Sequence, residues 1–128
     1  MAATTVETMV VSNRVFRASV NIFVGQALLP AAPAIGVTAR TNTAQSGYYG
    51  IVVTGAWNLV EGNQARTNVV GIHAASASTD NLIRSNDARY NHDVDCDDDT
   101  ADEVADVANT WSDNRAFVDD PVGICTVP

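Results

Sequence analysis

One segment of this chain is spelled more than once. Asn58-Leu59-Val60-Glu61-Gly62-Asn63-Gln64-Ala65-Arg66-Thr67-Asn68 returns 23 residues later as Asn81-Leu82-Ile83-Arg84-Ser85-Asn86-Asp87-Ala88-Arg89-Tyr90-Asn91. A third copy is Asn109-Thr110-Trp111-Ser112-Asp113-Asn114-Arg115-Ala116, and weaker ones lie earlier at Ala39-Arg40-Thr41-Asn42-Thr43-Ala44 and Val10-Val11-Ser12-Asn13-Arg14-Val15. Alignment on Asn13, Asn42, Asn63, Asn86 and Asn114 produces columns. Three residues before the key Asn stand Val10, Ala39, Val60, Ile83 and Trp111; two after it stand Val15, Ala44, Ala65, Ala88 and Ala116. Nine after it stand Ile22, Ile51 and Ile72, and in the fourth copy Val94 falls one place early. A period in the low twenties with fixed apolar columns is the signature of an array in which each repeat buries its face against the next.

The composition selects the kind of array. The apolar residues are mainly Val, Ile and Ala, and Gly and Asn recur throughout. β-Branched residues fit a pleated sheet, whereas Gly and Asn interrupt helices. The expected fold is therefore all-β, a short parallel β-helix of about five coils forming a single domain over residues 1–128. Equivalent strands would stack about 4.8 Å apart, so that each column fills one fixed gap along the stack. The Asn column suits the turns, because Asn tolerates left-handed backbone and bonds to nearby backbone or to the next Asn. The competing reading is a β-sandwich or meander with chance repeats. Spacings of 29, 21, 23 and 28 between key Asn residues imply two insertions, an apolar one at about 24–36 and an acidic one at about 96–108. Residues Thr100 to Ala108 have a capping-box start, with Thr100 followed by Glu103, and are expected to form a small C-terminal helical or irregular cap.

The Asn-x-Ile/Val-x-x-Asn and Gly-Ile elements, here Asn58 to Asn63, Asn81 to Asn86, Gly50-Ile51 and Gly71-Ile72, resemble the right-handed parallel β-helix repeat proteins, the superfamily of pectate-lyase-like proteins and alginate epimerases. The C-terminal stretch from Asn91 to Cys125 is also similar to the ends of bacterial secreted proteins carrying this repeat. The resemblance implies right-handed coils and offers a polysaccharide lyase or epimerase as one activity. The chain departs from the lyases in having no Lys, and none of its Arg residues falls on a lyase motif. Five coils would span only about 24 Å, room for a few sugars. The first expectation is thus a small exported protein with a structural or carbohydrate- or protein-interaction role, and the enzyme is the alternative.

Charge narrows the partners. The net charge is −8, the basic residues are all Arg, and thirteen of the fifteen acids lie beyond residue 79. Nucleic-acid binders concentrate basic residues on one face, so no nucleic-acid partner is expected. No apolar run long enough to cross a bilayer exists, and Met1-Ala2-Ala3-Thr4-Thr5 lacks the basic and apolar regions of a signal peptide. Cys96 and Cys125 follow their key Asn residues by ten and eleven positions, which places them near one another on adjacent coils. A Cys96–Cys125 disulfide is expected, and with it an oxidising, secreted or cell-surface location. The alternative is two buried free thiols.

The acidic segment supplies Asp93, Asp95, Asp97, Asp98 and Asp99 as candidate calcium ligands, although the spacing is not that of an EF-hand and a solvated acidic loop is the alternative. Arg84, Arg89 and Arg115 are the expected counter-charges. His73 follows Ile72 and turns outward if Ile72 points in; His92 with Asp93 is the minimum for general-base chemistry, but no nucleophile completes it, and no catalytic residue is assigned. Tyr48, Tyr49 and Tyr90 are candidate glycan contacts if they face outward, and core or turn fillers otherwise. Open edges at the ends of the stack, with the apolar segment Ala27 to Ile35, point to a homodimer.

Overall fold

The computed structural model describes residues 8–25, 36–100 and 108–125. Among them the chain forms thirteen strands and no helix. A first pass consists of β1 (Thr8–Val11), β2 (Arg14–Phe16) and β3 (Val20–Val24). The second is β4 (Val37–Arg40), β5 (Thr43–Gln45) and β6 (Tyr49–Val53), and the third β7 (Leu59–Glu61), β8 (Gln64–Arg66) and β9 (Val70–Ala74). Then follow β10 (Leu82–Arg84) and β11 (Val94–Asp98), and finally β12 (Thr110–Ser112) and β13 (Asp119–Asp120). Strands one pass apart lie side by side: β1-β4-β7-β10-β12 form one sheet, β2-β5-β8 a second, and β3-β6-β9-β11-β13 a third. All pairings are parallel, and single bridges at Asp87 and Arg115 extend the second sheet. This parallel all-β arrangement is compatible with a β-helix. The apolar segment at 26–35 and the helix expected over Thr100 to Ala108 fall, apart from the ends of the latter, outside the described residues.

The registers reproduce the sequence columns. Val10, Ala39, Val60, Ile83 and Trp111 are successive partners across the first sheet. Val15, Ala44 and Ala65 are partners across the second, with Ala88 and Ala116 buried beyond them. The third sheet aligns Ile22, Ile51 and Ile72 and then corrects the alignment: Cys96, not Val94, continues the column. The fourth pass carries one extra residue between its corner Asn91 and the strand. Val60, Ile51, Ile72 and Ile83 are fully buried, and each contributes roughly 1.5–3 kcal/mol relative to an exposed side chain.

The corners explain the polar residues. Left-handed backbone is found not at the Asn but one residue before it: Ser12, Thr41, Gly62, Ser85 and Asp113 precede the five key Asn residues with φ between 54° and 65°. Thr67, Tyr90, Trp57 and Asp80 do the same before Asn68, Asn91, Asn58 and Asn81. The preceding residue takes the turn, which frees the Asn to point into the stack.

Cys96 and Cys125 form a disulfide with their Cα atoms 6.4 Å apart. Cys125 does not occupy Cys96's own register position, which belongs to Asp119; it reaches the bond from the turn after β13.

Candidate functional site

Asn side chains run through the stack in three ladders, where the sequence suggested one. In the first, the backbone N–H and Nδ2 of Asn13 donate to Asn42 Oδ1 at 2.8 and 3.1 Å. Asn42 donates likewise to Asn63, Asn63 to Asn86, and Asn86 to Asn114. In the second, Asn58 donates to Asn81 and Asn81 to Asn109. In the third, Asn21 Nδ2 donates to Asn68, and Asn68 donates to Asn91. Each amide satisfies a backbone group that a buried turn would otherwise leave without water.

The ladders take up two of the five candidate calcium ligands. Asp95 Oδ1 accepts from Asn91 N and Nδ2 at 2.9 and 3.0 Å, as the next Asn of the third ladder would, while its Oδ2 accepts from the backbone N–H of Phe117 and Val118. Asp98 Oδ2 accepts from Asn109 Nδ2 at 3.3 Å and from Trp111 Nε1 at 2.7 Å, and so ends the second ladder. Both carboxylates are buried. Strand alternation sends Asp97 to the opposite face of β11 from Cys96, and Asp93 pairs with His92 at 2.6 Å among exposed side chains. The acidic run therefore does not converge on one ion; the strand divides it. Two of the three expected arginines do not serve it: Arg84 pairs with Glu61, as does Arg40, and Arg89 holds Asp87 together with Arg66. Those two guanidiniums keep the Asp87 carboxyl far below the usual carboxylate range, with the Arg89 hydrogen bond the larger cause.

A polar and aromatic group stands on the outer face of the third sheet. His73 in β9 is the register partner of Asp97 in β11. Because Ile72 points inward, His73 turns outward, and its Nδ1 lies 2.6 Å from Asp97 Oδ2. Its Nε2 is 4.0 Å from Asp99 Oδ2, in the turn that follows. The hydrogen bond to Asp97 raises the His73 pKa above its ordinary value, and the nearby charges of Asp97, Asp99 and Asp98 add to it against the opposing effect of burial. The Tyr49 ring lies 5.1 Å from the imidazole, and Tyr48 meets Tyr49 edge-on at 4.9 Å. Burial, with Tyr48 and the carboxylates of Asp97 and Asp99, pushes the Tyr49 hydroxyl's pKa up.

Tyr90 belongs to a different cluster. It sits 5.2 Å from Phe117, with the guanidiniums of Arg66 and Arg89 over its ring. The three tyrosines named from the sequence thus form two separate aromatic groups. His73 is the residue whose partner the sequence reading missed. The signal was present: once Cys96 is placed in the Ile72 column, Asp97 falls beside His73.

Side-chain ion pairs of alternating sign, Arg40–Glu61–Arg84, cross the first sheet's outer face and hold it in register. Among the described residues no helix is long and apolar enough to cross a membrane. Comparison with protein-family models, with curated proteins and with solved structures finds no match to this chain.

Proposed function

We propose that this chain is a right-handed parallel β-helix of five coils, of the pectate-lyase-like kind, which works outside the cell as a glycan-binding module. The supporting observation is the outer face of the third sheet. There the half-exposed Tyr48 and the adjoining Tyr49 lie next to His73, Asp97 and Asp99. An aromatic ring packs against the apolar face of a sugar, and neighbouring carboxylates accept charge-assisted hydrogen bonds from its hydroxyls. The net charge of −8 disfavours polyanionic glycans and leaves neutral ones as the ligand class. The Cys96–Cys125 disulfide fits an extracellular location, since such bonds persist in oxidising compartments.

A glycan array probed in chelator-containing buffer tests this reading. The expected result is binding to a restricted set of neutral glycans that falls at least tenfold in Tyr48→Ala. No binding, or binding indifferent to Tyr48, would overturn it.

One observation favours the enzyme as a second reading: an imidazole held through Nδ1 by a carboxylate is oriented to accept a proton at Nε2. Incubation with polysaccharide separates the two readings. Intact polymer supports the module, and shortened or epimerised polymer supports the lyase or epimerase.

A further inference from the structure

We infer that His73, Asp97 and Asp99 form a binding site for a divalent transition metal, zinc being the ion that their chemistry fits. One ligand atom from each residue lies within 4.8 Å of those of the other two. The parallel register of β9 and β11 sets Asp97 beside His73, and the turn after β11 brings Asp99 to the far edge of the imidazole. Asp97 takes the hydrogen bond of Nδ1, which leaves the Nε2 lone pair available as a ligand, 4.0 Å from Asp99 Oδ2. This is the carboxylate–histidine–metal arrangement in which a second carboxylate fixes the tautomer and raises the basicity of the ring.

The distances agree with this division of roles. Zinc bonds to His nitrogen and carboxylate oxygen are about 2.0–2.2 Å, so tetrahedral ligand atoms stand about 3.4 Å apart. The Nε2–Oδ2 separation is 4.0 Å, and the Asp99 side chain is 62% exposed, so a small rotation closes the gap. The Tyr49 ring packs against the imidazole, with centroids 5.1 Å apart. Water would complete the coordination.

The donor set selects the ion. Calcium takes six to eight oxygen ligands and no imidazole, whereas imidazole with carboxylate suits zinc and its neighbours. Among the described residues, several other acidic groups are engaged elsewhere. Asp95 and Asp98 end Asn ladders, Asp87 is held by two arginines, and His92 has Asp93 alone beside it, both exposed. The inference does not rest on glycan binding, and its test contains no glycan.

The test is calorimetric titration of zinc chloride into the metal-stripped, disulfide-intact chain, with imidazole ¹⁵N shifts followed in parallel. Wild type should bind one equivalent, with the large shift at His73 Nε2. His73→Gln and Asp99→Asn should weaken binding at least tenfold. Asp97→Asn should keep the stoichiometry and lose about 10–100-fold in affinity, as expected of a positioning residue. His92→Gln should bind like wild type, and calcium should not compete. Circular dichroism and melting without metal establish that each variant is folded. Absence of zinc binding at millimolar concentration, binding unaltered in folded His73→Gln, or loss in His92→Gln would overturn the assignment.

Discussion

Asn63 lies at the middle of the first ladder and is 1% exposed, and its replacement by Ala should be among the most costly single changes in the chain. Its Oδ1 accepts from Asn42 N and Nδ2, both at 2.9 Å. Its Nδ2 donates to Ala39 O at 2.9 Å and to Asn86 Oδ1 at 3.0 Å. Truncation leaves the Asn42 backbone N–H without this acceptor, inside a stack that water does not reach. An orphaned buried N–H costs about 1–3 kcal/mol. The weakened Asn42 amide, the Ala39 carbonyl and the small cavity bring the total to about 4 kcal/mol. Asn13→Ala is the internal control. Asn13 is exposed at the start of the same ladder, and the acceptor it uses on Asn42 keeps its bond to the Asn13 backbone; its loss should cost about 1 kcal/mol or less. Urea unfolding with the disulfide intact measures both. Asn63→Asp adds a pH arm. It keeps the acceptor for Asn42 but sets a carboxyl against the Ala39 carbonyl and Asn86 Oδ1, so the folded state favours the protonated acid and its pKa rises. The variant should therefore be closest to wild type below the ordinary carboxyl pKa of about 4, and its deficit should grow as pH rises through that value. Equal losses for Asn63→Ala and Asn13→Ala, or a loss below about 1 kcal/mol at Asn63, would refute the idea that the ladder is a buried, mutually satisfied network.

Three further outcomes follow from the same geometry. The non-reduced chain should take up no alkylating reagent, and because the disulfide joins positions 29 residues apart, its reduction should cost about 3.5 kcal/mol; two alkyl groups on the native protein would contradict this. Gly71→Ala places a methyl group against Asn91 Nδ2 and the Asp95 carbonyl, whereas Gly62→Asn, at φ 65° with open space around it, meets nothing; the first should lower stability by more than about 3 kcal/mol and the second by less than about 1 kcal/mol, read from thermal melts. The raised pKa of His73 means that its pairing with Asp97 stabilises the fold below the ordinary imidazole pKa of about 6.5 and that this contribution is lost as pH rises through the folded value. Asp97→Asn should lower the His73 midpoint in an NMR titration and flatten the stability slope over that interval, and an unchanged midpoint would remove Asp97 as the cause.

The sequence disclosed what depends on period. Val60 and Ile83, one repeat apart, are register partners in adjacent strands, and the Ala44–Ala65 column is buried. Repetition makes such contacts legible, because a residue's neighbour is the same residue type one period later. The cysteine pair was foreseen from the period, but the fold makes the bond differently: Asp119 takes the register place beside Cys96, and Cys125 reaches it from the turn after β13. What escaped was whatever broke the period or depended on direction. The extra residue before β11 hid the match of Cys96 to Ile72, and with it the contact of Asp97 with His73. Asp95 and Asp98 read as metal ligands because composition records their charge and not that both carboxylates are buried as the ends of Asn ladders, Asp98 by strand alternation and Asp95 through its bonds at the Asn91 corner. Asn58 and Asn68 were visible as recurring letters; their role as further ladders needs the corner backbone, where the preceding residue takes the positive φ. Tyr48 and Tyr90 were grouped by type, and the fold separates them.

The most direct test of the stacked arrangement is a methyl-resolved NOE experiment on the isoleucine-labelled, disulfide-intact protein. Ile22, Ile51 and Ile72 occupy one inward column on three successive strands, so methyl groups about 4.8 Å apart in strand spacing should give strong cross-peaks for Ile22–Ile51 and Ile51–Ile72. The Ile22–Ile72 pair, two strands apart, should give a much weaker signal. Absence of the Ile51–Ile72 cross-peak, or an Ile22–Ile72 cross-peak of equal strength, would contradict the winding on which every site described above depends.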